Sequence, residues 1–246
     1  MTHVISLVLF AMLSANSPGK PGTASDILRM SEHRVKSLER LAENMSGTMK
    51  TRVDFTSDIL GKKSSGKSVY ETYVRDGLDV GNVLVGTPVS SDSTVTQMMS
   101  RESDRRLNRP ILPIFDSAFP WERYLSSGDK KHEFSAVVVS DSDRVSGMGC
   151  YRISFRLDEE GDSISASGKG SIWIDRDTFL PVRTWRDFSI DMKRGKAEVK
   201  TFSDFGLLQG GLPVLLRSEI QTIPRFLFMG IGSIRITIRQ SDFKLE

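Results

Sequence analysis

The sequence predicts a mainly β, α+β fold: a strongly curved antiparallel sheet or open half-barrel, with an N-terminal amphipathic helix and short helices covering its concave face. Apolar and polar residues alternate with a period of two through most of the chain, in runs joined by short polar turns. A helical period occurs only near the N-terminus. Because no long helix separates the alternating runs, we expect an antiparallel meander rather than βαβ units.

The predicted helix follows a linker at residues 16–24, extends for about 20 residues and ends near Ser46 and Gly47. Ser25 is a suitable N-cap, and Thr23 with Asp26 offers an alternative capping box. The apolar residues that fall near one stripe at helical spacing are Leu28, Val35, Leu38, Leu41, Ala42 and Met45.

About nine or ten strands follow, and such a sheet must curl or close to hide its apolar face. We expect the helix stripe to pack there. A turn is expected at 61–66 and a hairpin turn at Asp76-Gly77. Residues 93–106 are either a short helix or an ordered loop, and a short helix is expected within residues 115–127. The strands are expected at 49–55, 68–75, 78–85, 133–139, 151–157, 164–174, 182–192, 197–205, 212–223 and 233–243.

The first residues resemble a secretory signal. Residues 4–13 are mostly apolar, too few to span a bilayer, and small residues follow them. We expect residues 1–24 to be a signal peptide and linker, and residues 25–246 to form a single domain in the periplasm. The alternative for the first residues is a buried first strand.

Charge and composition argue against several classes of function. The chain has 34 Lys and Arg against 31 Asp and Glu, and many basic residues have an acidic neighbour in sequence, so no nucleic-acid partner is expected. A single cysteine and three histidines exclude an intrachain disulfide and argue against structural zinc. We expect no cofactor and no metal.

No catalytic constellation stands out. Cys150 would need a positioned base, and His132 is the one plausible partner, so a small core residue is favoured over a nucleophile. The acidic residues cluster in turns. We therefore expect the protein not to be an enzyme.

Three segments resemble a known family. Residues 170–183, G-S-I-W-I-D-R-D-T-F-L-P-V-R, are similar to the G-x-I/L-W-I/V-D-x-x-T-x-x-P-V/K stretch of LolA-like outer-membrane lipoprotein-sorting proteins. Residues 150–153 resemble the strand before that stretch, and residues 201–205 with 211–213 resemble a later strand pair. The resemblance covers residues 147–245 and the N-terminal helix, whereas residues 60–145 diverge.

The resemblance implies a periplasmic, non-enzymatic carrier or chaperone that holds lipid or lipoprotein acyl chains in an apolar half-barrel. Its partners would include an inner-membrane transporter or an outer-membrane acceptor. The helix residues Leu28, Val35 and Leu38 would act as a lid. The expected apolar lining is Val53, Phe55, Tyr151, Ile153, Phe155, Ile172, Ile174, Leu216, Ile234, Ile236 and Ile238.

A second hypothesis assigns the same fold to a non-enzymatic envelope regulator, or to a scaffold partner of an inner-membrane transporter. Two features stay open at this point. Trp173 is expected in the core or wall rather than as a specific ligand contact. The apolar run at 226–231 is either a buried bend or an exposed tip that touches a membrane or a partner.

Overall fold

A computed structural model of the chain describes residues 22–76, 78–86, 89–90, 132–160, 164–192, 195–208, 211–226 and 229–246. The expected signal segment, the helix or ordered loop at 93–106 and the short helix expected within 115–127 lie outside these residues.

The helix α1 spans Ala24–Ala42. Its N-terminus is the Thr23 capping box: the Asp26 amide donates to Thr23 Oγ1 at 3.2 Å, and the Thr23 amide and hydroxyl donate to Asp26 Oδ2 at 3.2 and 2.7 Å. Ser25 lies within the helix, so the alternative that used it as the N-cap is wrong. The helix ends at Ala42, before the expected Ser46-Gly47 boundary.

The remaining described structure is one open antiparallel sheet, which confirms the predicted fold class. The strand order is β3-β2-β1-β12-β10-β9-β8-β7-β6-β5, with β4 beside β2 and β11 beside β10. The strands are β1 Gly47–Ile59, β2 Lys62–Arg75, β3 Leu78–Leu84, β4 Val89–Ser90, β5 His132–Val145, β6 Met148–Glu159, β7 Ile164–Asp175, β8 Pro181–Met192, β9 Gly195–Leu207, β10 Pro213–Phe226, β11 Met229–Gly230 and β12 Gly232–Leu245.

The turn between β1 and β2 is tighter than the sequence predicted. Leu60 and Gly61 have positive φ angles of 51° and 79°, so two residues reverse the chain. β2 then begins at Lys62, and Gly66 lies within the strand opposite Phe55. The expected turn at 61–66 is therefore wrong, because its Gly- and Ser-rich composition belongs to a strand.

The hairpin after β7 is held by hydrogen bonds to the side chain of Asp175. Asp175 Oδ2 accepts hydrogen bonds from the Thr178 amide at 3.1 Å and the Thr178 hydroxyl at 2.5 Å. Phe179 has a positive φ of 57°, and Pro181 begins β8. The W-I-D-x-x-T-x-x-P segment thus specifies a strand–turn–strand unit.

The two faces of the sheet differ in chemistry. The inner face is the face of the sheet against which α1 packs in the main core. The strand register defines three cross-strand rows of side chains on this face. The first row is Val138, Ile153, Ile172, Thr184, Ser203, Ser218, Ile238, Val53 and Ser68. The second is Ala136, Phe155, Gly170, Arg186, Thr201, Ile220, Ile236, Phe55 and Gly66. The third is Phe134, Leu157, Gly168, Phe188, Val199, Thr222, Ile234, Ser57 and Ser64.

The outer face is charged, and many of its side chains form ion pairs. Arg183 Nε donates to Asp204 Oδ1 at 2.7 Å, and Arg239 Nη1 lies 2.8 Å from Asp54 Oδ2. Further pairs join Arg217 to Glu219 and Lys200 to Asp187 across or along neighbouring strands. This polarity identifies the inner face as the one that must be covered.

Candidate functional site

The candidate site is the inner face, which carries two separate apolar clusters. The larger one is the helix cluster, in which α1 packs on one end of the sheet. Five of the expected lining residues belong to it or pack against it, together with the three expected lid residues. They are Tyr151, Ile153, Phe155, Ile172 and Ile174 on the sheet, and Leu28, Val35 and Leu38 on α1.

The smaller cluster, called here the β1–β12 cluster, is formed by residues of β1, β2 and β12. Val53, Phe55 and Tyr70 are buried in it, and Ile234 and Ile236 pack against them while remaining partly exposed. Ile238 is buried opposite Val53 in the register. The expected lining residues of β1 and β12 are therefore brought together, although they lie apart from those of β6 and β7.

Leu216 does not lie with the others. A β-bulge between Leu215 and Arg217 places Leu215 in the buried position opposite Phe205 and leaves Leu216 41% exposed. A Cβ atom at Gly206 would come within 2.8 Å of Leu216 Cδ1, so the Leu216 side chain covers that glycine. The expectation that Leu216 lines the interior is wrong, because the extra residue of the bulge reverses the alternation.

The helix is held as part of the core. Ile27, Leu28, Val35 and Leu38 are each at most 3% exposed. Burial of one such side chain is worth roughly 1.5–3 kcal/mol, so exposing all four would cost about 6–12 kcal/mol. That is comparable with the roughly 5–15 kcal/mol that stabilises a whole domain. The helix is thus better described as a fixed wall than as a lid that leaves the sheet.

Within the three rows, a band of hydroxyl groups lies between residues of the helix cluster and residues of the β1–β12 cluster. Thr184, Ser203 and Ser218 occupy neighbouring strands in the first row, and the Ser203 and Ser218 hydroxyls are 3.1 Å apart. Thr201 and Thr222 continue the band into the next two rows. We call these five residues the hydroxyl band.

Arg186 lies in the second row between Gly170 and Thr201, beside the hydroxyl band. Its side chain is neither buried nor fully exposed. Sequence analysis did not single out this arginine. The available signal was the alternation of β8, in which Thr184, Arg186, Phe188 and Ile190 share one face.

Two glycines of β7 shape the inner face next to Arg186. A Cβ atom at Gly170 would lie 2.4 Å from Phe155 Cζ and 2.6 Å from the Trp185 carbonyl oxygen. A Cβ atom at Gly168 would lie 2.3 Å from the Asp187 carbonyl oxygen and 2.6 Å from Phe188 Cδ1. Aromatic rings therefore occupy the space that side chains would fill.

Cys150 has the environment of a core residue. It is fully buried and its Sγ donates to the Met148 carbonyl oxygen at 3.5 Å. Burial raises the pKa of its thiol, and the nearby Asp175 charge raises it further. A nucleophile needs the opposite shift. The described residues contain no group of three or more His, Cys, Asp or Glu side chains placed to hold a metal ion.

Trp173 lies on the outer face rather than on the wall of the interior. It packs against a small cluster of Val145, Cys150 and Val182, and its indole N–H donates to Asp143 Oδ2 at 3.0 Å. Hydrogen bonds from Ser140 and Trp173 lower the pKa of Asp143. In the apolar run at 226–231, the side chains at 226–229 lie outside the described part of the chain, so both hypotheses for that run stay open.

Within the described ranges, no helix combines the length and apolarity needed to cross a membrane. Both edges of the sheet carry exposed apolar residues. Val83, Val85 and Val89 are 54%, 48% and 70% exposed at one edge, and Val137 and Val139 are 60% and 46% exposed on β5 at the other.

In its described residues, this chain adopts an open, curved antiparallel sheet with one helix on its inner face. No family model and no curated protein matches the sequence. Among solved structures, a putative outer membrane lipoprotein-sorting protein domain from Vibrio parahaemolyticus is similar at 8% identity, with 89% of this chain and 91% of that chain covered and a TM-score of 0.32.

A DUF1329 family protein from Desulfovibrio piger is similar at 13% identity, with 89% and 92% of the two chains covered and a TM-score of 0.30. MucB, in a complex with MucA(peri), is similar at 11% identity, with 87% and 92% covered and a TM-score of 0.25. The description of the Vibrio structure coincides with the family that the sequence resembles.

Proposed function

We propose that this protein is a non-enzymatic carrier or chaperone that binds lipid or lipoprotein acyl chains on its inner face. One observation carries the proposal. Away from the helix cluster, apolar side chains of the inner face remain partly exposed, among them Val199, Ile220, Ile234 and Ile236. A fold that needed this surface only for stability would bury it, as it does under α1.

The energy available is adequate for capture of a chain. Each buried methylene contributes roughly 0.8 kcal/mol, so about a dozen methylenes contribute about 10 kcal/mol before the cost of ordering the chain is subtracted. The rows offer branched and aromatic side chains without a carboxylate, which suits a flexible hydrocarbon ligand.

A periplasmic location is part of the proposal, supported by the apolar segment at residues 4–13 and the small residues after it. In that compartment a carrier would exchange its cargo with a donor in the inner membrane and an acceptor in the outer membrane. These partners are proposed from the family resemblance of residues 147–245.

Ile236→Asn tests the proposal. Ile236 packs against the β1–β12 cluster from the second row, so an amide there should weaken binding of palmitate at least tenfold, measured by displacement of a fluorescent fatty acid. Val137→Asn is the matched control, because Val137 is 60% exposed on the outer face and should leave binding unchanged. Both variants must unfold cooperatively. Unchanged affinity in a folded Ile236→Asn protein would contradict the proposal.

One observation supports the regulator or scaffold hypothesis: valines are exposed on the two edges of the sheet. Edge strands with exposed apolar residues can pair with another protein. A pull-down from cell envelopes that recovers one stoichiometric membrane protein and no lipid would favour it over the carrier proposal.

A further inference from the structure

Arg186 is the one charged residue in the three rows of the inner face. Every other residue in the three rows is apolar, glycine, or a hydroxyl-bearing Ser or Thr. On the outer face, by contrast, arginines alternate with carboxylates and pair with them, as Arg183 does with Asp204 and Arg239 with Asp54. Among the side chains of the three rows, an anionic group would meet one cation and no carboxylate.

The neighbours of Arg186 add hydrogen-bond donors without adding bulk. Gly170 stands beside it in the second row, and Thr201 stands on the other side. Thr184 lies two residues before it on the same face and pairs with Ser203. A guanidinium group offers a planar set of donors that matches a carboxylate or a phosphate, and hydroxyls can complete the remaining contacts.

Arg186 also lies within reach of the apolar surface that would hold a chain. Four strand-to-strand steps separate it from Phe55 along the second row, through Thr201, Ile220 and Ile236. At about 4.8 Å per step, the row covers about 19 Å. That length suits a long acyl chain rather than a short one.

We infer that the inner face binds an amphiphile with an anionic end group, with the carboxylate or phosphate held by Arg186 and the hydroxyl band and the hydrocarbon chain lying toward the β1–β12 cluster. This inference rests on the proposed function and narrows its ligand from acyl chains in general to acidic lipids. Arg186 is not free of contacts in this structure, so a bound anion would share or take over an existing one.

The test compares three probes of matched chain length: palmitate, hexadecyl phosphate and methyl palmitate, which has no charge. Wild-type protein should bind the two anions at least tenfold more tightly than the methyl ester, as expected for a charge-assisted hydrogen bond in a partly buried site. Arg186→Met should remove that preference while it retains affinity for the ester. Arg186→Lys should restore part of it.

Arg235→Gln is the control variant, because Arg235 is exposed on the outer face, where it pairs with Glu219, and its loss changes the net charge equally. It should leave all three affinities unchanged. Acetate and inorganic phosphate at millimolar concentration should not displace palmitate, which separates recognition of a lipid from recognition of a free anion. Thermal unfolding verifies that each variant is folded.

Equal binding of the ester and the anions by wild-type protein, or a preference that survives in Arg186→Met, would overturn the inference and leave the carrier proposal standing. Displacement by free phosphate or acetate would overturn recognition of a lipid anion in favour of a small-anion site. No binding of any of the three probes would overturn both proposals.

Discussion

Gly170 of β7 allows the Phe155 ring and the neighbouring strand β8 to approach the β7 backbone closely. Gly170 has no room for a Cβ atom, because the Phe155 ring and the Trp185 carbonyl both occupy that position. The backbone oxygen cannot move away as a flexible side chain could. The close approach therefore depends on glycine itself and not on a turn conformation.

Gly170→Ala should destabilise the protein by about 1–3 kcal/mol, the usual cost of overpacking, measured by urea unfolding. Gly230→Ala is the matched control, since nothing lies within 4 Å of a Cβ atom there, and its effect should stay within about 0.5 kcal/mol. Equal effects of the two substitutions would show that the crowding at Gly170 is not what the geometry indicates.

At the scale of elements, α1 connects a local sequence signal to the main core. The Thr23 box satisfies the first amides of the helix, and the buried stripe from Ile27 to Ala42 fixes it on the sheet. The sequence contained both signals, but it also offered Ser25 as a cap. Composition could not decide between neighbouring hydroxyl residues, and the choice became clear only from the hydrogen bonds.

Thr23→Ala should lower the free energy of unfolding by about 1 kcal/mol, the typical value for removal of an N-cap. Ser25→Ala should have a much smaller effect, because Ser25 is not the residue that caps the first turn. Chemical denaturation of the two variants under identical conditions measures the difference. A larger loss in Ser25→Ala than in Thr23→Ala would contradict the assigned helix start.

The strands show where alternation is informative and where it fails. In β12, Ile234, Ile236 and Ile238 alternate with charged or polar residues, and the sequence predicted their common face correctly. In β10, Val214, Leu215 and Leu216 are consecutive and apolar, so the pattern does not show which of these side chains face the interior. The bulge after Leu215 decides which side chains face the interior there. A one-residue insertion leaves no sequence signature in such a run.

At the scale of the whole molecule, the sheet joins distant parts of the chain into one surface. β1 pairs with β12, so residues near the start and end of the described chain form the β1–β12 cluster together. Alternation within single strands could predict an apolar face for each strand. It could not predict that hydroxyls of β8, β9 and β10 would align between two apolar clusters, because that alignment depends on register.

The same limit explains why Arg186 was missed. Within β8 it is one polar residue among several, and only the cross-strand rows show that the other residues of those rows are uncharged. The division of the interior also follows from register. The helix α1 already covers part of the surface that the family resemblance assigns to cargo. The proposed binding site for the ligand is therefore the remaining part of the inner face.

Photo-crosslinking with palmitate that carries a diazirine near its methyl end, followed by mass-spectrometric mapping of the labelled residues, shows directly where the chain binds. We expect labels on the inner-face residues of β1, β10 and β12, such as Phe55, Ile220 and Ile236, and competition by unlabelled palmitate. Labels confined to the outer face or to the exposed edge valines, or labelling that unlabelled palmitate does not reduce, would contradict the central claim that the inner face holds the chain.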